Sequence, residues 1–464
     1  MYIFIASAAI ILIAIVSTRQ RAYNSYDYNA QFGDISDYLS RCNYGWAVNG
    51  THKTTKKIAR ENCIVLGPTG SGKTQTVILN SVFSLARGGS SICINDMNGE
   101  ICDNCSGYLF QQGYKILIID FSDSTISEGF NPLLRCKTIS DIQKVALIIV
   151  LNTMGEPKGD QFWHTSSCML LSLFMRYLVF HCDEQYRTLQ NVLRLIQKFA
   201  IDGKAVDKLF VQTKDNELLD EYKTTLVVGD KTLQSIIASA RTALNLWLDK
   251  EICKTTYTNT IDFDMLRTEK VAIFVKTPLV HQTYFKPLTA LFFQSLFMHV
   301  MSRISKPKER SIFIILDEAA VCKFPDLSVT VSNIRKSAGM LLCLQDEMSL
   351  IAQYGAAEAH NIQTNCQTKV YLQGQPLHTC KKLCELMGKT TYLAEDGKKI
   401  IKDLMTVDEI HVCEQALIFI GNKPPLRCNT TPLYRNIWVR HRTKIPPFVQ
   451  NNKSVTEPPI ILFS

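Results

Sequence analysis

Short apolar runs that end in polar or acidic residues recur along the chain and alternate with segments of helical periodicity. They lie at 63–66, 91–95, 114–119, 271–275, 312–316, 340–344, 369–372 and 416–420. Strands that alternate with helices in this way predict a parallel sheet covered by helices. The predicted fold class is therefore α/β.

The stretch between the third and fourth apolar runs shows helical patterns and no strand pattern. The segment 162–180 is apolar almost all round, but Arg176 lies inside it. Such a charge favours a buried helix over a membrane span. We predict an inserted all-α domain at 136–265, which would split the sheet domain into residues 59–135 and 266–440.

The two ends of the chain differ from this pattern. Residues 2–17 carry no charge, and Arg19 and Arg21 follow directly. A cleaved signal peptide is the main alternative to an anchor, but it requires positive charge before the apolar run. Positive charge that follows the apolar run predicts an N-terminal transmembrane helix at 1–18, with the bulk of the chain in the cytoplasm. We predict a linker at 19–58 that becomes ordered towards the glycine-rich octapeptide, and a disordered tail, rich in Pro, Asn and Lys, at 441–464.

Composition adds few constraints. The net charge of +9 suits a phosphate-rich partner or a membrane surface, but it also suits an ordinary soluble protein. Sixteen cysteines occur without a repeating framework, which favours free thiols in a reducing compartment. Cys102 and Cys105 have the spacing of half a zinc site. The other half would be His378, Cys380 and Cys384, whose spacing is poor, so buried cysteines are favoured.

One glycine-rich octapeptide, GPTGSGKT, follows the first apolar run and precedes a helical segment. This context is that of a phosphate-binding P-loop, in which backbone N–H groups and a helix N-terminus surround phosphate oxygens. Lys73 would reach the β- and γ-phosphates, and the Thr74 hydroxyl would bind magnesium. The predicted cofactors are ATP and magnesium. The predicted nucleotide-binding residues are Gly67, Pro68, Thr69, Gly70, Ser71, Gly72, Lys73 and Thr74.

The apolar run 312–316 is followed by two carboxylates. In P-loop ATPases an acidic residue at this place holds magnesium, and we assign that role to Asp317. Glu318 would polarise the attacking water, because a general base must lie within hydrogen-bond reach of the proton it takes. The alternative is that the pair only caps the following helix.

Two further residues are catalytic candidates. Gln345 ends the run 340–344, where RecA-like motors place a residue that senses the γ-phosphate. Arg335 could act as an arginine finger toward a neighbouring subunit, which requires a ring. The alternatives, a polar strand terminus for Gln345 and a solvated basic face shared with Lys336 for Arg335, remain open.

Several segments together resemble the TraG/TraD-type coupling proteins of conjugative type IV secretion. DMNGE (96–100) resembles their D-P-K-G-E signature, and GFNPLL (129–134) is similar to their W-N-P-L segment. LDEAAVCKFPDL (316–327) and LCLQDEMSLIAQYG (342–355) resemble the segments at their acidic pair and their glutamine strand. NCQTKVYLQG (365–374), LMTVDEI (404–410) and ALIFIGNKPPLRC (416–428) follow in the family's order.

The resemblance implies a membrane-anchored homo-hexameric ATPase with a RecA-like nucleotide domain and an all-α domain. The implied location is the inner (cytoplasmic) membrane. The implied partners are the relaxase with its single-stranded DNA and the components of the secretion channel. Members usually have two membrane helices, whereas one apolar run is visible here.

Two other functions fit the sequence. One is a docking receptor for protein substrates with slow or regulatory nucleotide turnover. The other is a double-stranded DNA translocase of the FtsK or HerA kind, which the helical insertion and the quoted segments disfavour.

Overall fold

The structure is a computed structural model that describes residues 29–156, 161–278, 281–393, 398–450 and 456–462. The predicted membrane anchor at 1–18 lies outside these residues. Within them, no helix has both the length and the apolar character needed to cross a bilayer.

Eleven strands are formed within the described part of the chain. They are β1 (Cys63–Leu66), β2 (Ser91–Asp96), β3 (Lys115–Asp120), β4 (Val271–Lys276), β5 (Ile312–Leu316), β6 (Ala338–Leu344), β7 (Thr368–Tyr371), β8 (Lys389–Leu393), β9 (Lys399–Asp403), β10 (Ala416–Ile420) and β11 (Leu426–Cys428).

The α-helices alternate with these strands, except for a long helical series between β3 and β4. They are α1 (Lys56–Arg60), α2 (Leu79–Arg87), α3 (Glu100–Gln111), α4 (Ile139–Met154), α5 (Phe162–His181), α6 (Leu189–Ile201), α7 (Gly203–Gln212), α8 (Asn216–Leu226), α9 (Asp230–Ala243), α10 (Lys250–Thr255), α11 (Met265–Thr268), α12 (Gln282–Met301), α13 (Leu327–Ile334), α14 (Glu347–Tyr354), α15 (Ala356–Thr364), α16 (Leu377–Met387), α17 (Val407–His411) and α18 (Ile437–Arg440).

Nine strands form one sheet in the order β11-β10-β7-β1-β6-β5-β2-β4-β3. Every pairing from β7 to β3 is parallel, and β10 and β11 add antiparallel strands at one edge. The predicted α/β class is confirmed. Because the strands are parallel, the loops that follow β1, β6, β5 and β2 meet at one edge of the sheet.

Both faces of this sheet are buried, as continuous apolar strands require. Along β1, Ile64 and Leu66 face one core, whereas Cys63 and Val65 face the other. The first core continues into the helical series α4–α11, and the second is covered by α2 and α3.

The helical series between β3 and β4 has its own aromatic centre. The rings of Phe210 and Tyr222 stack with centroids 4.2 Å apart, and Phe174 packs against Phe210 edge to face. Arg176 lies inside the apolar helix α5 because its guanidinium donates to the Glu221 carboxylate. The buried helix predicted here is therefore present.

Residues 39–58 of the predicted linker pack against the sheet domain. Trp46 is fully buried, stacks edge to face on Phe313 and donates its indole N–H to the Ala59 carbonyl at 2.9 Å. The backbone N–H of Ala47 donates to Ser81 Oγ on α2. The polar and tyrosine-rich composition of this segment concealed a few large apolar anchors, and these outweigh the ordering entropy of the rest.

The predicted disordered tail needs correction. Residues 441–450 run along α3 to the outer edge of β3, where Gln450 Oε1 accepts the Ile118 N–H at 3.0 Å. Phe448 packs on Phe110, and Ile461 donates its N–H to Asn191 on α6. The edge strand offers unpaired backbone groups, and pairing them stabilises a segment whose composition alone predicts disorder.

The cysteines form no metal centre among the residues that the structure describes. Cys102 and Cys105 are buried on α3 with free thiols. His378 is exposed and pairs with Asp346 at 3.1 Å. Both cysteines pack in the core that α2 and α3 cover.

The hairpin formed by β8 and β9 was not predicted. It stands apart from the nine-stranded sheet as a separate two-stranded sheet. Its sequence, Lys-Thr-Thr-Tyr-Leu and Lys-Ile-Ile-Lys-Asp, has no strict apolar alternation, because neither face enters a core.

Candidate nucleotide-binding site

A cleft of about 850 Å³ lies at the edge where the parallel strands end. The octapeptide lines it from Pro68 to Thr74, and Asp317, Glu318 and Gln345 lie across from the loop. These side chains come from β1, β5 and β6, which are neighbours in the sheet but distant in sequence. The topology therefore brings together the residues that were predicted separately.

The loop conformation depends on two glycines. Gly70 and Gly72 have φ angles of 82° and 87°, in the left-handed region that favours glycine. After Gly72 the chain makes a π-helical turn, Lys73–Ile78, before α2 begins at Leu79. A wide first turn of this kind is often found at functional sites.

The loop fits a phosphate group. Lys73 Nζ donates to the carbonyl oxygens of Gly67 at 2.5 Å and Pro68 at 3.3 Å, so its charge lies within the loop. Ser71 Oγ is buried and makes no hydrogen bond within the described residues. A cation and an unused hydroxyl at a left-handed glycine turn form a setting that binds an anion.

The acidic pair is held in a low-dielectric environment. Burial, and after it the nearby Glu318 carboxylate, raise the pKa of Asp317 to about 7 against the opposing effect of Lys73. Burial also raises the pKa of Glu318, against the opposing effects of Lys73 and Gln345. Gln345 Nε2 donates to Glu318 Oε2 at 3.2 Å. A cation at this place would relieve the repulsion between the carboxylates.

Glu318 has an unusual backbone conformation. Its φ of 61° lies in the left-handed region, which is costly for a residue with a side chain. The backbone directly after it is fixed, since Ala319 N–H donates to the Cys343 carbonyl on β6 at 2.8 Å. Strain of this kind is common where a side chain must point into a site.

The segment DMNGE forms a second wall of the cleft. The Asp96 carboxylate accepts the N–H groups of Ile101 and Cys102 at the start of α3, at 3.2 and 2.7 Å, and burial raises its pKa to about 6. Asn95 Nδ2 donates to the Asp317 carbonyl at 3.1 Å and so links β2 to the acidic pair. Asp96 therefore has a structural role, while Asn98 and Glu100 reach the cleft.

Arg335 is placed elsewhere. It is the exposed residue that ends α13, and it does not line the cleft of its own chain.

Sequence reasoning missed the C-terminal wall of the cleft. After β11 the chain returns to the P-loop. There the Thr431 N–H donates to the Asn49 carbonyl at 2.8 Å, and the Leu433 side chain is buried. Periodicity gives no signal for such a return. The missed lining residues are Met97, Gln282, Gln373, Glu414, Asn429, Thr430, Pro432, Tyr434 and Arg435.

Solved structures share this fold. The plasmid coupling protein TrwB in complex with ADP and Mg²⁺ matches with a TM-score of 0.67 at 16% identity, over 88% of this chain and 96% of that one. TrwB with the non-hydrolysable ATP analogue ADPNP matches with a TM-score of 0.67 at 17% identity, over 89% of this chain and 92% of that one. VirB4 of Thermoanaerobacter pseudethanolicus matches with a TM-score of 0.50 at 11% identity, over 85% of this chain and 96% of that one. Identities this low show the fold alone, which is an α/β fold with a large parallel sheet and an all-α region.

The sequence itself gives a further match. The profile described as type IV secretory system conjugative DNA transfer covers residues 29–456. No curated protein matches the chain in sequence.

Proposed function

The chain belongs to the type IV secretory system conjugative DNA transfer family, and from this premise we propose that it is the coupling ATPase of such a system. In this role it recruits the relaxase–DNA complex and uses ATP hydrolysis to move single-stranded DNA to the secretion channel. The observation that carries the proposal is the convergence of the P-loop, the acidic pair and Gln345 on one cleft of about 850 Å³.

The residues of the cleft have distinct roles in this proposal. The loop from Gly67 to Thr74 binds the phosphates, with Lys73 on the β- and γ-phosphates. Thr74 and Asp317 hold magnesium, which when bound neutralises phosphate charge and orients the γ-phosphate. Glu318 polarises the attacking water, and Gln345, already bonded to Glu318, senses the γ-phosphate. The bound TrwB structures, with ADP and Mg²⁺ or with an ATP analogue, support these cofactors.

The arrangement of the whole chain is part of the same proposal. Residues 1–18 anchor the protein in the inner membrane with the bulk in the cytoplasm, as the charge pattern predicts. Residues 59–135 and 266–440 form the nucleotide domain, and 136–265 form the all-α domain. The subunits assemble into a homo-hexamer, as the family resemblance implies, and Arg335, which is exposed outside its own cleft, acts on the nucleotide of a neighbouring subunit.

ATP hydrolysis by the full chain in detergent, with and without single-stranded DNA, tests the proposal. DNA should stimulate turnover, and both Lys73→Ala and Glu318→Gln should reduce it at least about 100-fold. Glu318→Gln should still bind ATP. Lys115→Ala, an exposed lysine at the opposite end of a strand, is the matched control and should leave turnover unchanged.

Two results would contradict the motor function. Nucleotide binding without turnover, even with DNA at low salt, would instead favour a docking receptor for protein substrates. Stimulation by duplex but not by single-stranded DNA would favour a double-stranded translocase.

A further inference from the structure

The hairpin of residues 389–393 and 398–403 exposes large apolar side chains on both faces. Cross-strand pairing places Tyr392 beside Ile400 on one face, and Leu393 and Ile401 lie on the other. The exposed fraction is 75% for Leu393 and about half for each of the two isoleucines. An isolated two-stranded sheet is marginally stable in water, so this hairpin gains from a surface that covers it.

The first described residues of the chain attach to the base of this hairpin. Asn29 pairs with Thr390, and the Ala30 N–H donates to the Lys389 carbonyl at 3.1 Å. The uncharged run 2–17 is separated from this point by residues 18–28, which can span at most roughly 40 Å. The base of the hairpin therefore lies within roughly 40 Å of the end of the apolar run 2–17.

Basic residues accompany the apolar ones. Lys389, Lys398, Lys399 and Lys402 lie in the two strands or beside them, and Lys402 Nζ sits 4.4 Å from the Tyr392 ring centroid. The sequence also has Glu395 and Asp396 between the strands and Asp403 at the end of β9, so the lysines outnumber the acids by one. Apolar side chains flanked by lysines are typical of segments that lie in the headgroup region of a bilayer.

We propose that this hairpin docks on the cytoplasmic surface of the anionic membrane that holds the anchor. Leu393 and Ile401, which share one face, enter the boundary between headgroups and acyl chains, and the lysines contact lipid phosphates. This second contact orients the nucleotide domain relative to the bilayer. The inference rests on the proposed N-terminal anchor.

Hydrogen exchange of the full chain tests this docking. The chain is placed in nanodiscs that contain phosphatidylglycerol, at less than one chain per disc, and is compared with the same chain in detergent. Amide exchange in 389–393 and 398–403 should slow about tenfold or more in the discs. A Leu393→Ser/Ile401→Ser double variant should lose this protection, whereas Leu386→Ser, at an exposed leucine on α16, should keep it.

The other results each overturn the proposal. Equal exchange in discs and detergent would show that the bilayer does not cover the hairpin. Protection that appears in detergent as the chain concentration rises, and is absent in singly loaded discs, would assign the hairpin to a contact with a second copy.

The same samples separate a failed anchor from a failed docking surface. Co-elution of the chain with discs in high salt reports the anchor, and the double variant should leave it unchanged. A chain that does not co-elute contradicts the anchor. A chain that co-elutes with an unprotected hairpin contradicts the docking surface only.

Discussion

At the scale of single residues, the protonation of Asp317 should govern binding of magnesium nucleotide. The ordinary pKa of an aspartate is 3.8, and that of Asp317 in the folded chain is raised to about 7. Between pH 3.8 and about 7, the Asp317 carboxyl is protonated in the folded chain and ionised in the unfolded chain. The stability contribution of this group is thus present at low pH and is lost as the pH rises through about 7. Magnesium, which binds the ionised form, must displace the proton.

We therefore expect the dissociation constant of Mg²⁺-ATP to fall as the pH rises from 6 to 8. The slope should approach tenfold per pH unit below about 7, because one proton is released for each nucleotide bound. Isothermal titration calorimetry in buffers of different ionisation enthalpy measures both quantities. Asp317→Asn should flatten the profile relative to the unmodified chain. A slope that survives this change would assign the titration to Asp96 or to another group.

The left-handed backbone of Glu318 predicts a trade between stability and activity. The free energy of unfolding should be about 1 kcal/mol higher for Glu318→Gly than for Glu318→Gln, because glycine adopts a φ of 61° without strain. Both variants remove the buried charge, so the loss of charge does not contribute to the difference. Both should lose hydrolysis. Chemical denaturation measures the difference, and a glycine variant that is less stable than the glutamine variant would contradict the strain argument.

At the scale of secondary-structure elements, the tail at 441–450 depends on a close approach to α3. A Cβ added at Gly107 would lie 2.0 Å from the Pro446 carbonyl oxygen, which is backbone and cannot rotate away. Gly107→Ala should therefore displace the tail and cost about 1–3 kcal/mol of folding free energy. Limited proteolysis should cut residues 441–450 faster in this variant.

Gly203, the first residue of α7, provides the control for that change. An added Cβ there meets no atom within 4 Å, so Gly203→Ala should leave the tail protected and the stability unchanged or slightly raised. A Gly107→Ala chain whose tail is cut no faster than that of the control would show that the contact is dispensable.

The sequence predicts elements well where their own residues bury them and poorly where distant residues do. The strands β5 and β10 are buried apolar runs, and their bounds match the predicted ones. The Trp46 segment and the tail carry polar sequences, and their order comes from partners such as Ser81 and Ile118 that lie far along the chain. Similarly, the glycine loop has a local signature, whereas Tyr434 and Arg435 reach the cleft through tertiary structure alone.

At the scale of the whole molecule, the position of Arg335 makes a prediction about subunits. Since Arg335 lies outside its own cleft, Arg335→Ala should bind ATP normally and should lose most of its turnover, about 1000-fold if it acts as a finger. Lys336→Ala, the adjacent exposed cation, should remain active.

Mixing two inactive chains tests whether Arg335 acts between subunits. An Arg335→Ala chain has an intact P-loop, and a Lys73→Ala chain has an intact arginine. Mixed oligomers should therefore regain part of the turnover that each variant lacks alone. The absence of any recovery in verified mixed oligomers would contradict an arginine finger.

The edge position of β3 also has a consequence for biosynthesis. On its outer side, Ser127 and Glu128 pair the Asp120 N–H and the Ile118 carbonyl, but the Ile118 N–H is paired by Gln450. Gln450 emerges from the ribosome about 330 residues after the strand ends, roughly 15–65 s later at 5–20 residues per second. During that interval the growing polypeptide presents to other nascent chains an apolar edge strand that is only partly paired. A messenger truncated shortly before codon 441 would thus encode every strand of the sheet and still yield a product prone to aggregate.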